Sequence, residues 1–293
     1  MPFETIVPPL TPFTPEGAVD YDLLPAIVDF TVVDSKANVV MAAGVEAQEY
    51  QYMTFEERKE LIRATVEAVA GRTKVAVGIT HPSFRIAIEL AHYAESLGAD
   101  AVQLLAPQKP TGGVPTTAEL VEYFDRVGRE TKLPIFLYLN AGPGADLSVP
   151  QTIELAKLDQ IKFIKESSRD MTRVARLIAE IDQAGHARYY TTMQLLLITL
   201  QLGGSGVTLP PPAARLAKRI IEAFEAGDLA RATELQKRLA LFPARWMPFG
   251  LAAVMKAALG LQGVPAGDPY PPYAPVGGDA LAALKSFLAA NEI

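Results

Sequence analysis

Residues 134–166, PIFLYLNAGPGADLSVPQTIELAKLDQIKFIKE, hold two short apolar runs on either side of an amphipathic segment. The runs are residues 134–139 and 161–166, and both have the length and the mostly apolar composition of parallel strands that are buried on two faces. Residues 149–158 between them have the amphipathic pattern of a helix. The stretch therefore predicts a strand–helix–strand unit with two parallel strands and a right-handed crossover.

The same alternation extends over most of the chain. Strands are predicted at residues 5–7, 38–43, 74–79, 101–106, 134–139, 161–166, 188–192 and 206–209. Helices are predicted after them at residues 21–33, 54–70, 83–97, 116–132, 149–158, 170–184, 193–202 and 213–226. Eight such units over about 225 residues have the size of a (β/α)8 barrel.

An open, doubly wound sheet is the structural alternative. Such a sheet normally carries a glycine-rich phosphate fingerprint after its first strand, whereas the first strand here runs into Pro8-Pro9-Leu10-Thr11-Pro12-Phe13. We therefore predict an α/β fold, a (β/α)8 TIM barrel with a C-terminal helical extension. Residues 1–228 would form the barrel and carry the active site, and residues 229–293 would form the C-terminal helical region. Its helices are predicted at residues 229–241, 251–259 and 280–290.

Composition restricts the classes of function. The chain has 293 residues with 27 basic and 33 acidic side chains, a net charge of −6 and no cysteine. The acidic balance argues against nucleic acid as a partner, because phosphate binding needs a basic face. The lack of cysteine excludes disulfides, thiolate nucleophiles and cysteine-ligated metals, and it fits a cytoplasmic location. No apolar run reaches the roughly 18 residues of a membrane span, and Met1-Pro2-Phe3-Glu4 does not begin a signal peptide pattern.

Strand six carries the most informative residue, Lys165. Side chains alternate along a strand, so Lys165 shares a face with Phe163, and we expect that face to point into the barrel. Burial there imposes a desolvation cost on an ammonium group and thereby favours a neutral amine. A neutral amine can attack a carbonyl carbon and form a Schiff base. The alternative is a lysine that extends to the barrel rim or pairs with a carboxylate.

Tyr138 lies near the carboxyl end of the preceding strand, where barrel enzymes carry their reactive groups. A phenol at this position can transfer a proton to or from a substrate. The alternative is an aromatic side chain that fills the barrel mouth and hydrogen-bonds a neighbour. Because consecutive strands lie side by side in a barrel, we expect Tyr138 and Lys165 to be adjacent.

Two other patterns carry less weight. Gly203-Gly204-Ser205-Gly206 precedes the eighth strand, at the end of the barrel opposite to the reactive groups, so we interpret it as a tight turn and not as a phosphate loop. The histidines His81, His92 and His186 lie far apart without the spacing of a ligand pair, so no metal site is predicted. His81 follows the third strand and is a candidate pocket residue, with a plain loop role as the alternative.

Several motifs in the same order resemble the dihydrodipicolinate synthase / N-acetylneuraminate lyase superfamily. They are Pro134-Ile135-Phe136-Leu137-Tyr138, Ile161-Lys162-Phe163-Ile164-Lys165-Glu166, Leu202-Gly203-Gly204-Ser205-Gly206-Val207, Glu225-Ala226-Gly227-Asp228 and Met255-Lys256-Ala257-Ala258-Leu259-Gly260. The resemblance covers nearly the whole chain. It implies a (β/α)8 barrel with C-terminal helices, often a homotetramer, in which Lys165 forms a Schiff base with pyruvate or another 2-oxo acid and Tyr138 relays protons. It also implies no metal and no dissociable cofactor, since the covalent lysine imine is the electron sink.

The sequence departs from the family pattern where the family recognises its substrates. The family's strand-two loop, Gly-Thr-Thr-Gly-Glu, is replaced by Ala42-Ala43-Gly44-Val45-Glu46 or, in a shifted register, by Val45-Glu46-Ala47-Gln48-Glu49. Backbone amides near residues 44–46 can still bind a carboxylate. The tyrosine that the synthase has after strand four is absent from Pro107-Gln108-Lys109, and its arginine after strand five is absent from residues 139–144. These departures favour a second substrate other than that of the synthase.

We therefore expect a Schiff-base lyase, an aldolase or a dehydratase, that acts on a 2-oxo acid such as a 3-deoxy-2-oxo sugar acid. Lys165 and Tyr138 are the predicted catalytic residues. A dehydratase would take a further acid or base from Glu46, Glu49, His81 or Lys109. The predicted substrate-binding residues are Gly44, Val45, Glu46, His81, Val207 and Thr208. The alternatives are a synthase-type condensation of pyruvate with an aldehyde, a non-catalytic 2-oxo acid binding barrel, and a metal-dependent aldolase or phosphate-binding barrel. The partners expected are this small molecule and further copies of the chain.

Overall fold

The computed structural model describes residues 2–47 and 49–293. All eight predicted strands are present, and they pair in chain order to close a parallel barrel. They are β1 (Glu4–Val7), β2 (Val39–Ala42), β3 (Lys74–Gly78), β4 (Ala101–Leu105), β5 (Ile135–Leu139), β6 (Ile161–Glu166), β7 (Arg188–Thr191) and β8 (Gly206–Thr208). The prediction of a (β/α)8 barrel is therefore confirmed, and the open doubly wound sheet is excluded.

A helix follows each strand, as predicted. The barrel helices are α1 (Leu24–Asp29), α2 (Phe55–Val69), α3 (Phe84–Ser96), α4 (Thr117–Arg129), α5 (Val149–Ala156), α6 (Met171–Leu177), α7 (Leu196–Gln201) and α8 (Pro211–Glu225). The C-terminal helices are α9 (Leu229–Leu241), α10 (Leu251–Leu261) and α11 (Gly278–Asn291). Most predicted bounds therefore agree with the structure to within a few residues.

Local signals explain where the helices begin. Thr54 and Glu57 form the predicted capping box of α2, in which each side chain satisfies a backbone N–H of the other. The helix predicted at residues 21–33 begins later, because the Asp20 carboxylate accepts hydrogen bonds from the backbone N–H groups of Asp22 (3.0 Å) and Leu23 (3.3 Å). These two bonds hold a turn ahead of α1. Short 3-10 turns at Glu49–Tyr52 and Ala244–Phe249 were not predicted.

The strands β5, β6 and β7 position the polar groups described below. In their register Tyr138 lies opposite Lys165, and Lys165 lies opposite Tyr190. Two residues earlier on β5 and β6, Phe136 stacks on Phe163 with the ring centroids 4.1 Å apart. The aromatic pair occupies the same face of the two strands as Tyr138 and Lys165, as strand alternation predicts. Lys165 thus stands next to a packed aromatic layer.

The glycine cluster before β8 is a turn, as predicted. Gly206 has a φ of +153°, and a Cβ on it would lie 2.0 Å from the carbonyl oxygen of Glu4. The backbone N–H of Glu4 donates to the carbonyl oxygen of Ser205 (3.1 Å). The close approach of these two backbone segments explains why glycine stands at this position.

The described chain divides into two compact units. One consists of residues 2–4 and Val75–Thr208, and it holds the strand ends that carry Tyr138 and Lys165. The other consists of Thr5–Lys74 and Leu209–Ile293, and within it α8 packs against α9 and α10 packs against α11. The predicted division of the chain at residue 228 stays a prediction.

Candidate active site

Lys165 and Tyr138 lie side by side at the carboxyl ends of β6 and β5. The Lys165 Nζ lies 4.1 Å from the centroid of the Tyr138 ring, and the two residues are only 4% and 2% exposed. The predicted adjacency of the two side chains is therefore confirmed, and a lysine that extends into bulk solvent is excluded. The catalytic roles of both residues stay predictions.

Ser167 connects the two side chains. The Lys165 Nζ donates a hydrogen bond to Ser167 Oγ (2.8 Å), and Ser167 Oγ donates to the hydroxyl oxygen of Tyr138 (3.1 Å). Asn140 Nδ2 donates to the same phenol oxygen (3.0 Å). The phenol oxygen thus accepts two hydrogen bonds, which leaves its own proton available for a third partner.

Sequence reasoning missed Ser167 and Asn140, although a signal was present. Ser167 follows Lys165 by two positions, and Asn140 follows Tyr138 by two positions. Side chains two residues apart share a face wherever the chain is extended. The alternation that selected Lys165, continued beyond the end of each strand, would have selected both residues.

The partners of Lys165 are neutral. Among the residues that the structure describes, no carboxylate forms an ion pair with it; its amine contacts the Ser167 hydroxyl and the Tyr138 ring. The carboxylate of the next residue, Glu166, pairs instead with Arg173 Nε (2.7 Å). An amine that no carboxylate holds in an ion pair can approach a carbonyl carbon without breaking one. The arrangement therefore suits an amine that reacts as a nucleophile.

Glu166 and Arg173 hold the loop after β6. Glu166 Oε1 accepts a hydrogen bond from the backbone N–H of Ser168 (2.7 Å), and Arg173 Nη1 donates to the carbonyl oxygen of Leu147 (2.7 Å). Arg173 thereby links the loop after β5 to α6. Glu166 and Arg173 are thus bound to each other and to the backbone on either side. These charge-assisted contacts hold the loop, and with it Ser167, in a defined position.

A cavity of about 480 Å³ opens beside these groups. Its wall is formed by residues within 139–147, after β5, and within 166–173, which include the loop after β6 and the start of α6. Ser167 and Asn140 line the cavity, and both hydrogen-bond the Tyr138 hydroxyl. A molecule in this cavity therefore lies next to Ser167, whose hydroxyl hydrogen-bonds both Lys165 and Tyr138.

The other predicted residues of the same unit have varied surroundings. His81 Nδ1 accepts a hydrogen bond from the backbone N–H two residues ahead (2.9 Å), and His81 does not line the cavity. Lys109 Nζ pairs with Glu119 Oε1 (2.9 Å). Val207 and Thr208 end β8 and are buried, and the Thr208 hydroxyl has no hydrogen-bond partner in the described part of the chain.

The predicted carboxylate-binding loop follows β2 in the other unit. Val45 is fully buried there. Gly44 is closely packed, because a Cβ on it would lie 2.6 Å from Glu46 Oε2 and 2.7 Å from Met41 Cγ. Gln48, which belongs to one of the two predicted registers, lies outside the described residues. The role of this loop in substrate binding stays a prediction.

Glu49, a predicted acid or base, forms a buried ion pair with Lys256 in that unit. The Lys256 Nζ lies 2.9 Å from Glu49 Oε1, and Glu49 Oε2 accepts the backbone N–H of Thr11 (3.0 Å). The Lys256 Nζ also donates to the carbonyl oxygen of Asp268 (2.8 Å). Burial lowers the pKa of Lys256, and the Glu49 carboxylate opposes that shift. Sequence reasoning missed this pair, because no local pattern links the two residues.

Across residues 2–47 and 49–293, no group of three or more His, Asp or Glu side chains is arranged to hold a metal ion. Over the same residues, no helix combines the length and the apolar character that crossing a bilayer requires.

Comparison with known proteins identifies a family. The family model described as "Dihydrodipicolinate synthetase family" matches residues 2–291. A 4-hydroxy-tetrahydrodipicolinate synthase from a Synechococcus strain is 33% identical over 286 residues, which are 95% of this chain and 90% of the relative. The family resemblance found in the sequence is therefore confirmed.

Solved structures share the fold over almost the whole chain. YagE, a prophage protein of Escherichia coli K12 that belongs to the dihydrodipicolinic acid synthase family and was solved in complex with pyruvate, has a TM-score of 0.88 at 26% identity. The match covers 99% of this chain and 98% of YagE. An N-acetylneuraminate lyase from Mycoplasma synoviae has a TM-score of 0.84 at 22% identity, over 99% of this chain and 98% of its own. At the latter identity the likeness concerns the fold alone.

Proposed function

The chain belongs to the dihydrodipicolinate synthetase family, and on that premise we propose that it is a lyase that binds a 2-oxo acid as an imine of Lys165. The observation that carries the proposal is the environment of the Lys165 amine. That amine is buried beside Tyr138, and its hydrogen-bond acceptor is the neutral hydroxyl of Ser167. A lysine with these neighbours is suited to attack a carbonyl carbon.

The proposed reaction begins when the Lys165 amine attacks the C2 carbonyl of the substrate. The carbinolamine loses its oxygen as water, and the resulting imine, once protonated, withdraws electrons from the neighbouring carbon. Tyr138 has a phenol proton available, and Ser167 connects the phenol to the amine. Tyr138 would therefore donate and accept protons at the imine. No dissociable cofactor is needed for these steps, because the covalent imine is the electron sink.

Two courses can follow from this imine. In an aldolase, Tyr138 accepts the proton of a distal hydroxyl, the C–C bond breaks, and an enamine of pyruvate remains on Lys165 to be protonated and hydrolysed. In a dehydratase, a base removes a proton from C3 and a hydroxyl leaves as water with a proton from an acid. The second course needs a further acid or base. Glu46, Glu49, His81 and Lys109 remain the candidates, and two of them form ion pairs in this structure, Glu49 with Lys256 and Lys109 with Glu119.

We propose a 3-deoxy-2-oxo sugar acid as the substrate. Asn140, Asp146 and Ser168 line the cavity and can exchange hydrogen bonds with hydroxyl groups. The volume of about 480 Å³ lies within the range of about 300–1,000 Å³ that is typical of ligand sites. It can hold several hydroxylated carbons beyond C2.

The group that binds the substrate carboxylate is a separate part of the proposal. Gly44, Val45, Glu46, His81, Val207 and Thr208 remain the proposed substrate-binding residues. Thr208 has the most specific support among them, because its buried hydroxyl has no partner among the described residues. A buried polar group of this kind is suited to a ligand that supplies the missing hydrogen bond.

A condensation of pyruvate with an aldehyde is the second candidate. Its support is the name of the synthase that is 33% identical to this chain. YagE, which was solved with pyruvate, supports pyruvate as the first substrate in either case. Residues 139–144 after β5 contain no arginine for a dicarboxylic aldehyde, which favours the lyase.

Reduction with sodium borohydride in the presence of pyruvate tests the imine. We expect the intact mass to increase by one reduced pyruvate per chain and peptide mapping to locate the adduct on Lys165. Lys256 is the internal control, because it is equally buried but paired with Glu49. No adduct with pyruvate or with a panel of 2-oxo acids would contradict the proposal and favour a non-catalytic binding barrel. Loss of activity on addition of a chelator would favour a metal-dependent aldolase.

We further propose that the chain acts as a homotetramer in the cytoplasm. The support is the family resemblance for the tetramer, and the lack of cysteine for the compartment. Analytical ultracentrifugation tests the first part, and a monomer at working concentration would contradict it.

A further inference from the structure

Arg169 stands on the wall of the cavity beside Ser167 and is exposed. Its guanidinium donates one long hydrogen bond, from Nη2 to Gln194 Oε1 at 3.4 Å. Within residues 2–47 and 49–293, no carboxylate forms an ion pair with Arg169. A guanidinium carries five N–H donors in a planar fork, so most of its hydrogen-bonding capacity is open to a ligand.

The other charged groups of the cavity have defined surroundings. Arg173 is bound by Glu166. Asp170 Oδ1 accepts two backbone N–H groups at the start of α6 (2.8 and 3.2 Å). Asp146 is exposed on the cavity wall but does not pair with Arg169. Of the described residues that line the cavity, Arg169 is thus the cation that an anion can reach without displacing a protein carboxylate.

We propose that Arg169 selects 2-oxo acids whose far end carries an anionic group, a carboxylate or a phosphate. The proposal rests on the proposed imine at Lys165, which fixes C2 of the substrate beside Ser167. The rest of the substrate chain then extends into the cavity whose wall includes both Ser167 and Arg169. A guanidinium binds a carboxylate or a phosphate through two parallel hydrogen bonds. A terminal anion therefore gains more from Arg169 than a terminal alcohol does.

Three acids with one carbon skeleton test the proposal. They are a 3-deoxy-2-oxohexonate, which ends in an alcohol at C6, its 6-phosphate, and the corresponding 3-deoxy-2-oxohexarate, which ends in a carboxylate. Each is trapped on Lys165 with borohydride over a range of concentrations, and the half-saturating concentration is read by mass spectrometry. The intact acid and its cleavage fragment both count as adducts. We expect at least one anionic acid to saturate the enzyme at a concentration about tenfold below that of the alcohol. The tighter of the two identifies the anion.

Variants of Arg169 assign the preference to this side chain. Arg169→Gln removes the charge and should abolish the difference between the anionic acids and the alcohol. Arg169→Glu reverses the charge and should make the alcohol the tighter ligand. Arg176→Gln is the matched control, because Arg176 lies in the last turn of α6, the helix that follows Arg169, and pairs with Glu180 on the surface. This variant should keep the wild-type preference.

Several results would overturn the proposal. They are equal half-saturating concentrations for the three acids in the wild type, a preference that persists in Arg169→Glu, a preference that is lost in Arg176→Gln, and trapping of pyruvate but of none of the three acids. Failure of the proposed function gives a different result, because then neither pyruvate nor any other 2-oxo acid is trapped on Lys165.

Discussion

Two lysines of this protein are buried to nearly the same degree, Lys165 at 4% exposure and Lys256 at 3%. Lys256 faces the carboxylate of Glu49 at 2.9 Å and also donates to a backbone carbonyl oxygen. Lys165 faces the hydroxyl of Ser167 at 2.8 Å and lies against the ring of Tyr138. The two side chains therefore share burial and differ in the charge of their partners.

The difference in counter-charge is the basis of the two proposed roles, a structural one for Lys256 and a reactive one for Lys165. The carboxylate of Glu49 compensates the charge of Lys256, and through it Lys256 ties α10 to Thr11. Lys165 has no carboxylate partner among the described residues, and its amine is the one that we propose attacks a carbonyl carbon. Burial alone thus does not distinguish the two lysines, and the role proposed for Lys165 depends on its neutral partners.

Lys165→Ala should have the largest effect, a complete loss of imine formation in a protein that stays folded. No carboxylate loses its counter-ion in this variant, so we expect the free energy of unfolding to change by less than about 2 kcal/mol. Intact mass after borohydride reduction and denaturant unfolding measure the two quantities. Lys162→Ala is the matched control, because Lys162 is exposed on the opposite face of β6, and it should trap pyruvate like the wild type. A Lys165→Ala protein that unfolds would indicate that this side chain has a structural role in the barrel instead.

Tyr138→Phe should lower turnover by about two to four orders of magnitude, because the phenol is expected to move protons at the imine. The rate of deuterium incorporation at C3 of pyruvate measures this step without knowledge of the second substrate, since it requires the imine and its enamine. The phenyl ring keeps its contact with Lys165, so trapping of pyruvate should still occur. Tyr21→Phe on the exposed surface is the control. An unchanged exchange rate would remove Tyr138 from the mechanism.

Lys256→Met should destabilise the protein by about 3–5 kcal/mol, because Glu49 then stays buried without its counter-ion. Denaturant unfolding measures the change. The double variant Lys256→Met/Glu49→Leu removes the uncompensated charge as well, and it should recover part of the lost stability. Folded Lys256→Met protein should still trap pyruvate on Lys165. A single variant as stable as the wild type would contradict the structural role of the pair.

The sequence was sufficient for the part of the site that follows from strand order. Alternation along β6 put Lys165 on the inward face with Phe163, and the pairing of consecutive strands put Tyr138 opposite Lys165. Ser167 obeys the same alternation two residues beyond Lys165, so this contact was within reach of the sequence although it was missed. These inferences need only the alternation of side chains along a strand and the rule that consecutive strands of a barrel pair.

The sequence was not sufficient where a contact joins segments that are distant along the chain. Glu49 lies in a short turn after β2, and Lys256 lies on α10. No periodicity or motif relates the two positions. From the sequence alone, Glu49 was therefore predicted as a candidate acid or base and not as the partner of a lysine. Its ion pair with Lys256 becomes visible only once the fold brings α10 to this turn. The partners that distinguish Lys256 from Lys165 can therefore be identified only from the tertiary structure.

Ser167→Ala should have the smallest effect, and it tests whether the neutral partner of Lys165 matters by itself. The variant removes the acceptor of the Nζ hydrogen bond and one of the two donors to the Tyr138 oxygen. A hydrogen bond contributes about 0.5–1.5 kcal/mol, so we expect the C3 exchange rate to fall by up to about tenfold, with little change in stability. Ser167→Thr keeps the hydroxyl and should retain most of the rate, and Ser96→Ala on the exposed end of α3 is the control.

The pH profile of the Ser167→Ala exchange rate separates a positioning role from a merely structural one. Ser167 contacts both groups whose protonation the reaction uses, the amine of Lys165 and the phenol of Tyr138, so its removal should shift the profile as well as lower the rate. A lower rate with an unshifted profile would mean that Ser167 supports the loop and does not act on the two groups. A rate equal to that of the wild type would mean that the missing carboxylate alone distinguishes Lys165 from Lys256, because the hydroxyl would then contribute nothing to the reactivity of the amine.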